Sequence, residues 1–304
     1  MCSLVEAVKQ SSHLNSFVEL SLAPTFRHQW HSIYAITDAE IDVKKLNLLC
    51  LEQVPKRESL YYALDVMNVR RAESATLKDR MVCHGGQREA FGNGVVLGLP
   101  YSLLAFTENA SSSWAMTVNS ERVKPEEKAV SAAVKQIEWL FENSERQAET
   151  SVGLDGGYGN VGFFSELKGK KVFAVARMRN DRLMYRRPAR RAGGRGKPAK
   201  YGGKFKFNEP ASWGEAEEII EFEDEKHGQV RIEKWSKLRF RVAKEEVEIE
   251  VMRSQIHLER ENPPAPRWYG IHNGSEEKTE LNRSYQTVKH RWTIEPSNRF
   301  RKER

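Results

Sequence analysis

Cysteine is scarce. Cys2, Cys50 and Cys83 are odd in number and far apart, and they form no CxxC pair. They exclude a disulfide framework and the usual zinc-ligand spacing, and they suit a reducing compartment. No apolar run approaches the roughly 20 residues a membrane-spanning helix needs. The opening MCSLVEAVKQ lacks the basic start and apolar centre of a signal peptide. The glycine-rich run Gly153 to Gly159 lacks the Lys-Ser/Thr of a phosphate-binding loop and the context of a dinucleotide fingerprint. His84, in VCHGGQ, has no partner at metal-ligand spacing. Together these absences predict a soluble cytoplasmic protein with no membrane partner, no nucleotide cofactor and no zinc.

What remains is enough for one large domain or two smaller ones: 304 residues, 39% hydrophobic and 30% charged. The net charge is +7, a modest basic excess that favours a polyanionic partner where it is concentrated.

Residues 1 to 55 read as an N-terminal helical segment, broken by Pro24. Asp38 is the expected N-cap of a helix whose inner face carries Ile41, Leu46, Leu49 and Cys50. The segment suits either a packing appendage or a small DNA-contacting unit. Leu60 to Val69 is the first strand, with Asp65 inside its apolar run, where a carboxylate is costly unless paired or bound to a cation. Met81 to His84 and Val95 to Phe106 complete an expected three-strand meander, turned at Gly92-Asn93-Gly94. Pro125 opens a helix that runs to about Arg146, with a stripe of Ala129, Ala133, Val134, Ile137, Leu140 and Phe141.

Ser151 to Leu154 is a short, uncharged run that ends on Asp155 and two glycines. Phe163, Phe164 and Leu167 follow at helical spacing, and Val172 to Ala176 is a second apolar run. Strand, acid on a turn, helix, strand is a βαβ unit with its carboxylate at the edge where open α/β sheets place ligands. The predicted order, β-β-β-α-β-α-β, makes the first and fourth strands neighbours and brings Asp65 to Asp155. Either acid alone reads equally well as a helix cap or a buried hydrogen-bond acceptor. The pair favours a divalent ion, Mg²⁺ or Mn²⁺, on oxygen ligands alone.

From Arg177 to Lys206 the composition turns basic: Arg177, Arg179, Arg182, Arg186, Arg187, Arg190 and Arg191 stand in a span whose only acid is Asp181. Interleaved with Tyr185, Tyr201, Phe205 and Phe207, it suits phosphate tracking with aromatic contacts, or else a solvated loop. Glu215 to Glu225 reverses the sign. Val230 to Arg241 and Val247 to Val251 alternate as strands, which makes 177–266 a basic loop followed by a β-rich insertion.

In this order, LDVMN around Asp65, LDGGYGNVGFFSEL around Asp155, RMRNDRLMYRRP leading into GRGKPAKYGGKF, and the final HRWTIEPSNRFRK resemble a DDE transposase of bacterial insertion sequences. The resemblance implies an RNase-H-like α/β core over 56–176, interrupted by the insertion and closed by 267–304. It implies a catalytic and metal-binding triad of Asp65, Asp155 and Glu295 holding two Mg²⁺. It also implies DNA as substrate at element ends and target, a homodimer, a nucleoid-associated location, and phosphate contacts from Arg291 and Lys302. The family's Y-x2-R-x3-E-x6-K pattern is met at Arg291, Glu295 and Lys302, but Val288 holds the tyrosine position and Tyr285 stands three residues earlier. Pro296 directly after Glu295 predicts a helix that starts or kinks there. Two alternatives are a truncated, non-catalytic DNA-binding relic, suggested by the end of the chain soon after Lys302, and an RNase-H-like repair nuclease.

Overall fold

The computed structural model describes residues 6–7, 10, 17–27, 31–37, 40–84, 94–112, 114–144, 148–188, 199–241, 246–274, 280–296 and 298. The helices with described bounds that precede the sheet are α1 (Phe17–Ser21), α2 (His31–Thr37) and α3 (Val43–Glu52). The cap of α3 is Asp42, whose side chain accepts from the Lys45 N–H, so the helix starts later than expected from Asp38, which lies outside the described residues. Its face is also corrected. Ile41, Leu46 and Leu49 are each about half exposed, and the segment meets the core through Leu51 and Val54.

The core follows as β1 (Ser59–Arg70), β2 (Met81–His84), β3 (Val95–Phe106), β4 (Met116–Arg122), α4 (Ala129–Asn143), β5 (Glu149–Leu154), α5 (Val161–Leu167) and β6 (Phe173–Met178). Among the described residues four strands, not three, therefore precede α4. β4 pairs with β3 across a register shift at Leu104/Ala105, which leaves Val118 and Asn119 both buried and breaks the two-residue alternation. α4 begins at Ala129 rather than Pro125 because Lys128 is still extended, at φ −86 and ψ 138. Its buried face is Ala132, Ala133, Val134, Gln136, Ile137 and Leu140.

The rest comprises β7 (Leu183–Tyr185), β8 (Lys204–Lys206), β9 (Glu218–Asp224), β10 (Gly228–Arg239), β11 (Glu248–Gln255), β12 (Arg267–Asn273) and the helix α6 (Leu281–Arg291). One sheet runs β2-β3-β1-β5-β6-β12-β11-β10-β7-β8, with β4 beside β3 and β9 beside β10. This is a mixed α/β, RNase-H-like fold: β1 pairs antiparallel with β3 and parallel with β5, and β5 pairs parallel with β6. The apolar residues of α4 and α5, including Ile137, Leu140, Phe163, Phe164 and Leu167, form the main core with β1, β5 and β6. A second cluster lies under α6, where Leu281, Tyr285 and Val288 meet Phe173, Val175 and Ile271.

Aromatics from the basic span are also inside. Phe205 and Phe207 are 0% and 2% exposed and pack among Trp213, Trp235 and Trp268. Together with Tyr185, 7% exposed, they are core residues and not base-stacking contacts.

Candidate active site

The register pairs Leu64 with Leu154, so Asp65 on β1 and Asp155 just past β5 stand side by side at the carboxyl edge of two parallel strands. Asp65 Oδ1 accepts from the Val66 N–H at 2.9 Å, and Oδ2 accepts from Asn298 Nδ2 at 3.0 Å. Burial pushes its carboxyl above the usual carboxylate range, the nearby Arg291 guanidinium opposes this, and Asp155 adds to it. Asp155 is more open. Its Oδ1 accepts from the Gly157 N–H at 2.5 Å, and its carbonyl accepts from the Tyr158 N–H at 3.1 Å, which closes the turn.

The helix α6 delivers the remaining groups. It lies directly against β5: a Cβ added at Gly153 would be 2.8 Å from Thr287 O and 2.9 Å from Arg291 Cβ. Arg283 donates to Ser151 Oγ at 2.9 Å and to Thr150 O at 2.8 Å. His290 stacks on Tyr61 with centroids 4.4 Å apart. Lys289 donates to Asp224 Oδ2 at 2.6 Å, and Tyr285 shares a 2.9 Å hydrogen bond with His227 Nδ1. Tyr285 thus faces the β9–β10 turn, away from the acids, and does not supply the tyrosine missing at Val288.

Arg291, whose side chain is 5% exposed, lies between Asp155 Oδ2 at 3.6 Å and Glu295 Oε1 at 3.0 Å. The helix breaks after it. Thr293 N–H bonds back to His290 O, and a new helical turn over 294–296 carries Glu295, in keeping with the kink predicted beside Pro296. Ile294, fully buried with Ala63, Ala105 and Ala115, pins that turn to β1 and β3. Among the described residues no three His, Cys, Asp or Glu side chains gather closely enough to hold a metal ion.

The donor set nevertheless suits a hard divalent cation. It consists of carboxylate oxygens, one of them buried and disfavoured in its charged form, with a guanidinium supplying the positive charge between two acids. Because Asp65 keeps its proton to higher pH when folded than when unfolded, its contribution to stability falls as pH rises through that interval. Asp65→Asn should therefore remove this contribution and flatten the change of the metal-free melting midpoint with pH above the ordinary carboxylate range. Thermal melts of both proteins across that interval check this, and parallel pH profiles refute it.

Much of the basic span is engaged within the fold. Arg179 pairs with Asp181 at 2.9 Å, Arg187 pairs with Glu248, and Arg186 donates to Trp213 O and lies over the Phe205 ring. Arg182 donates to Gly159 O at 2.7 Å and so buttresses the turn after Asp155. Arg177 lies on β6 opposite Tyr269. Arg190, Arg191 and Lys302 lie outside the described residues. Sequence reasoning passed over Asn298 and Tyr158. The only signal for Tyr158 was an aromatic residue enclosed by glycines in the GGYG turn.

Residues 2–239 match the family model described as DDE superfamily endonuclease. The chain belongs to that family. The match spans both aspartates and ends before α6, so it does not extend to Arg291 or Glu295. No curated protein matches the chain. For a DDE endonuclease the substrate is DNA and the chemistry depends on divalent metal, and no helix among the described residues is long and apolar enough to cross a membrane.

Proposed function

We propose that this DDE endonuclease is a transposase that cuts and joins DNA at insertion-sequence ends by two-metal phosphoryl transfer. The observation that carries the reading is the placement of Asp65 and Asp155 side by side on parallel strands, with Arg291 at the end of α6 reaching Asp155 and pairing with Glu295 on the turn that follows. Asp65, Asp155 and Glu295 would hold two Mg²⁺ or Mn²⁺ ions, which when bound supply Lewis acidity and lower the pKa of an attacking water. The chain's own contribution is to fix the carboxylates. Val66 N–H and Asn298 orient Asp65, and Gly157 N–H orients Asp155. Arg291 neutralises Asp155 and Glu295 and stands where its guanidinium would contact a phosphate oxygen. Arg177, Arg190, Arg191 and Lys302 would add phosphate contacts, which position DNA without reading its sequence. Action at two element ends favours a homodimer.

A second reading is DNA binding without cleavage. It is favoured by the Arg291–Glu295 pair, which occupies the third acid. Calorimetry with Mn²⁺ separates the two. The transposase reading expects saturable Mn²⁺ binding that is lost in Asp65→Asn, with chelator-sensitive cutting of DNA carrying the flanking element ends. Salt-sensitive DNA binding with no Mn²⁺ uptake would overturn it.

A further inference from the structure

The register that sets Leu154 beside Ala176 makes Asp155 level with Arg177 on the next strand. Arg177 lies opposite Tyr269 on β12, and Arg267 stands two residues before Tyr269, at the same edge of the sheet. Phe173, Val175, Tyr269 and Ile271 all pack in the cluster under α6. Because side chains alternate along a strand, Arg177 and Arg267 share that face. It is the face from which Arg291 reaches Asp155.

Trp292, directly after α6, joins Arg267 to the site. The Arg267 guanidinium carbon lies 4.6 Å from the Trp292 ring centroid, and that of Arg291 lies 5.2 Å from it. Burial pushes the Tyr269 phenol's pKa up, and the charges of Arg267, Arg177 and Arg291 all pull it back. The three cations differ in how they are neutralised. Arg291 pairs with Asp155 and Glu295, just as Arg179, Arg187, Arg239 and Arg253 each pair with a carboxylate. Arg177 and Arg267 are half-buried and meet no carboxylate at ion-pair distance among the described residues. Two unneutralised guanidinium groups therefore stand beside the acids, and one of them is seated on an indole ring.

We propose that Arg267 is a DNA-binding residue: seated on Trp292 and beside Arg177, it holds a backbone phosphate of the strand that lies across the Asp65–Asp155 edge. This rests on the reading of that edge as the DNA-cutting site. A guanidinium presents paired, coplanar donors that match a phosphate, and one already resting on a ring has less freedom to lose on binding. Such a contact fixes the position of the strand and reads no sequence.

The test is Arg267→Gln in the full chain, which keeps a side chain able to lie on the ring and removes the charge, with Arg267→Lys to restore it. Binding of each protein to two labelled duplexes of unrelated sequence is measured over a salt series in the presence of chelator. Arg267→Gln is expected to weaken both complexes by about tenfold at low salt. It should also make the fall of log K with log salt shallower by about 0.9, and Arg267→Lys should keep the parent slope. An unchanged slope for Arg267→Gln overturns this inference alone, and a lower melting midpoint beside it would make Arg267 a structural partner of Trp292. Weakening confined to one duplex also overturns it, since a phosphate contact acts on all sequences alike. If the unsubstituted protein binds neither duplex, the DNA-cutting reading fails, and this inference fails with it.

Discussion

Asp155→Asn is expected to abolish metal-dependent DNA cleavage while leaving the fold and DNA binding intact. The amide keeps an oxygen for the Gly157 N–H, so the turn that follows β5 is preserved. Arg291 loses one charged partner at 3.6 Å and retains Glu295 at 3.0 Å. What disappears is the more open of the two aspartates, the one most able to take a cation from solvent. Metal-assisted stabilisation of the transition state is worth several kcal/mol, and each 1.36 kcal/mol is tenfold in rate, so a loss of about a thousandfold or more follows. A strand-cleavage assay with matched binding isotherms provides the check. Cleavage near the unsubstituted rate would remove Asp155 from the reaction.

Gly153→Ala should damage stability and catalysis together. The new methyl would meet a backbone carbonyl, Thr287 O, at 2.8 Å and the Arg291 Cβ at 2.9 Å, both tighter than side chains tolerate. The helix cannot simply rotate away. It is held by Arg283 on Thr150 and Ser151, by His290 against Tyr61, and by Lys289 on Asp224. Overpacking of this kind costs about 1–3 kcal/mol. Because the same helix aims Arg291 and leads into Glu295, a displacement approaching an ångström would cost about a hundredfold in rate. Denaturant unfolding and the cleavage assay measure the two effects. A variant as stable and active as the parent would show that the helix has slack at this contact.

The acid pair was legible in the sequence for a physical reason. A carboxylate inside an apolar strand and another at a strand–glycine junction both announce themselves, and the element order β-β-β-α-β-α-β makes their strands neighbours. The short helix was equally plain, since Phe163, Phe164 and Leu167 are all buried as their spacing requires. β4 was not legible, because its register shift buries Val118 and Asn119 in succession and erases the alternation that marks a strand. The fate of the arginines was hidden for a different reason. Arg187 finds Glu248 61 residues away, and local charge density says nothing about which distant acid folds back. The exposed leucines of α3 misled in the opposite direction, since helical periodicity identifies an apolar stripe but not whether another surface covers it.

The strands of 177–266 join the rest of the sheet by backbone pairing: β11 hydrogen-bonds to β12, β12 to β6, and β6 to β5. A lid on a flexible tether could close over a substrate without disturbing the chemistry beneath it. This arm has no such freedom, because its strands continue the sheet on which Asp155 stands. It behaves as an outrigger and not as a flap. A load applied to the far strands would reach the edge that carries Asp155 as twist in one shared sheet, with β11 three strands from β5.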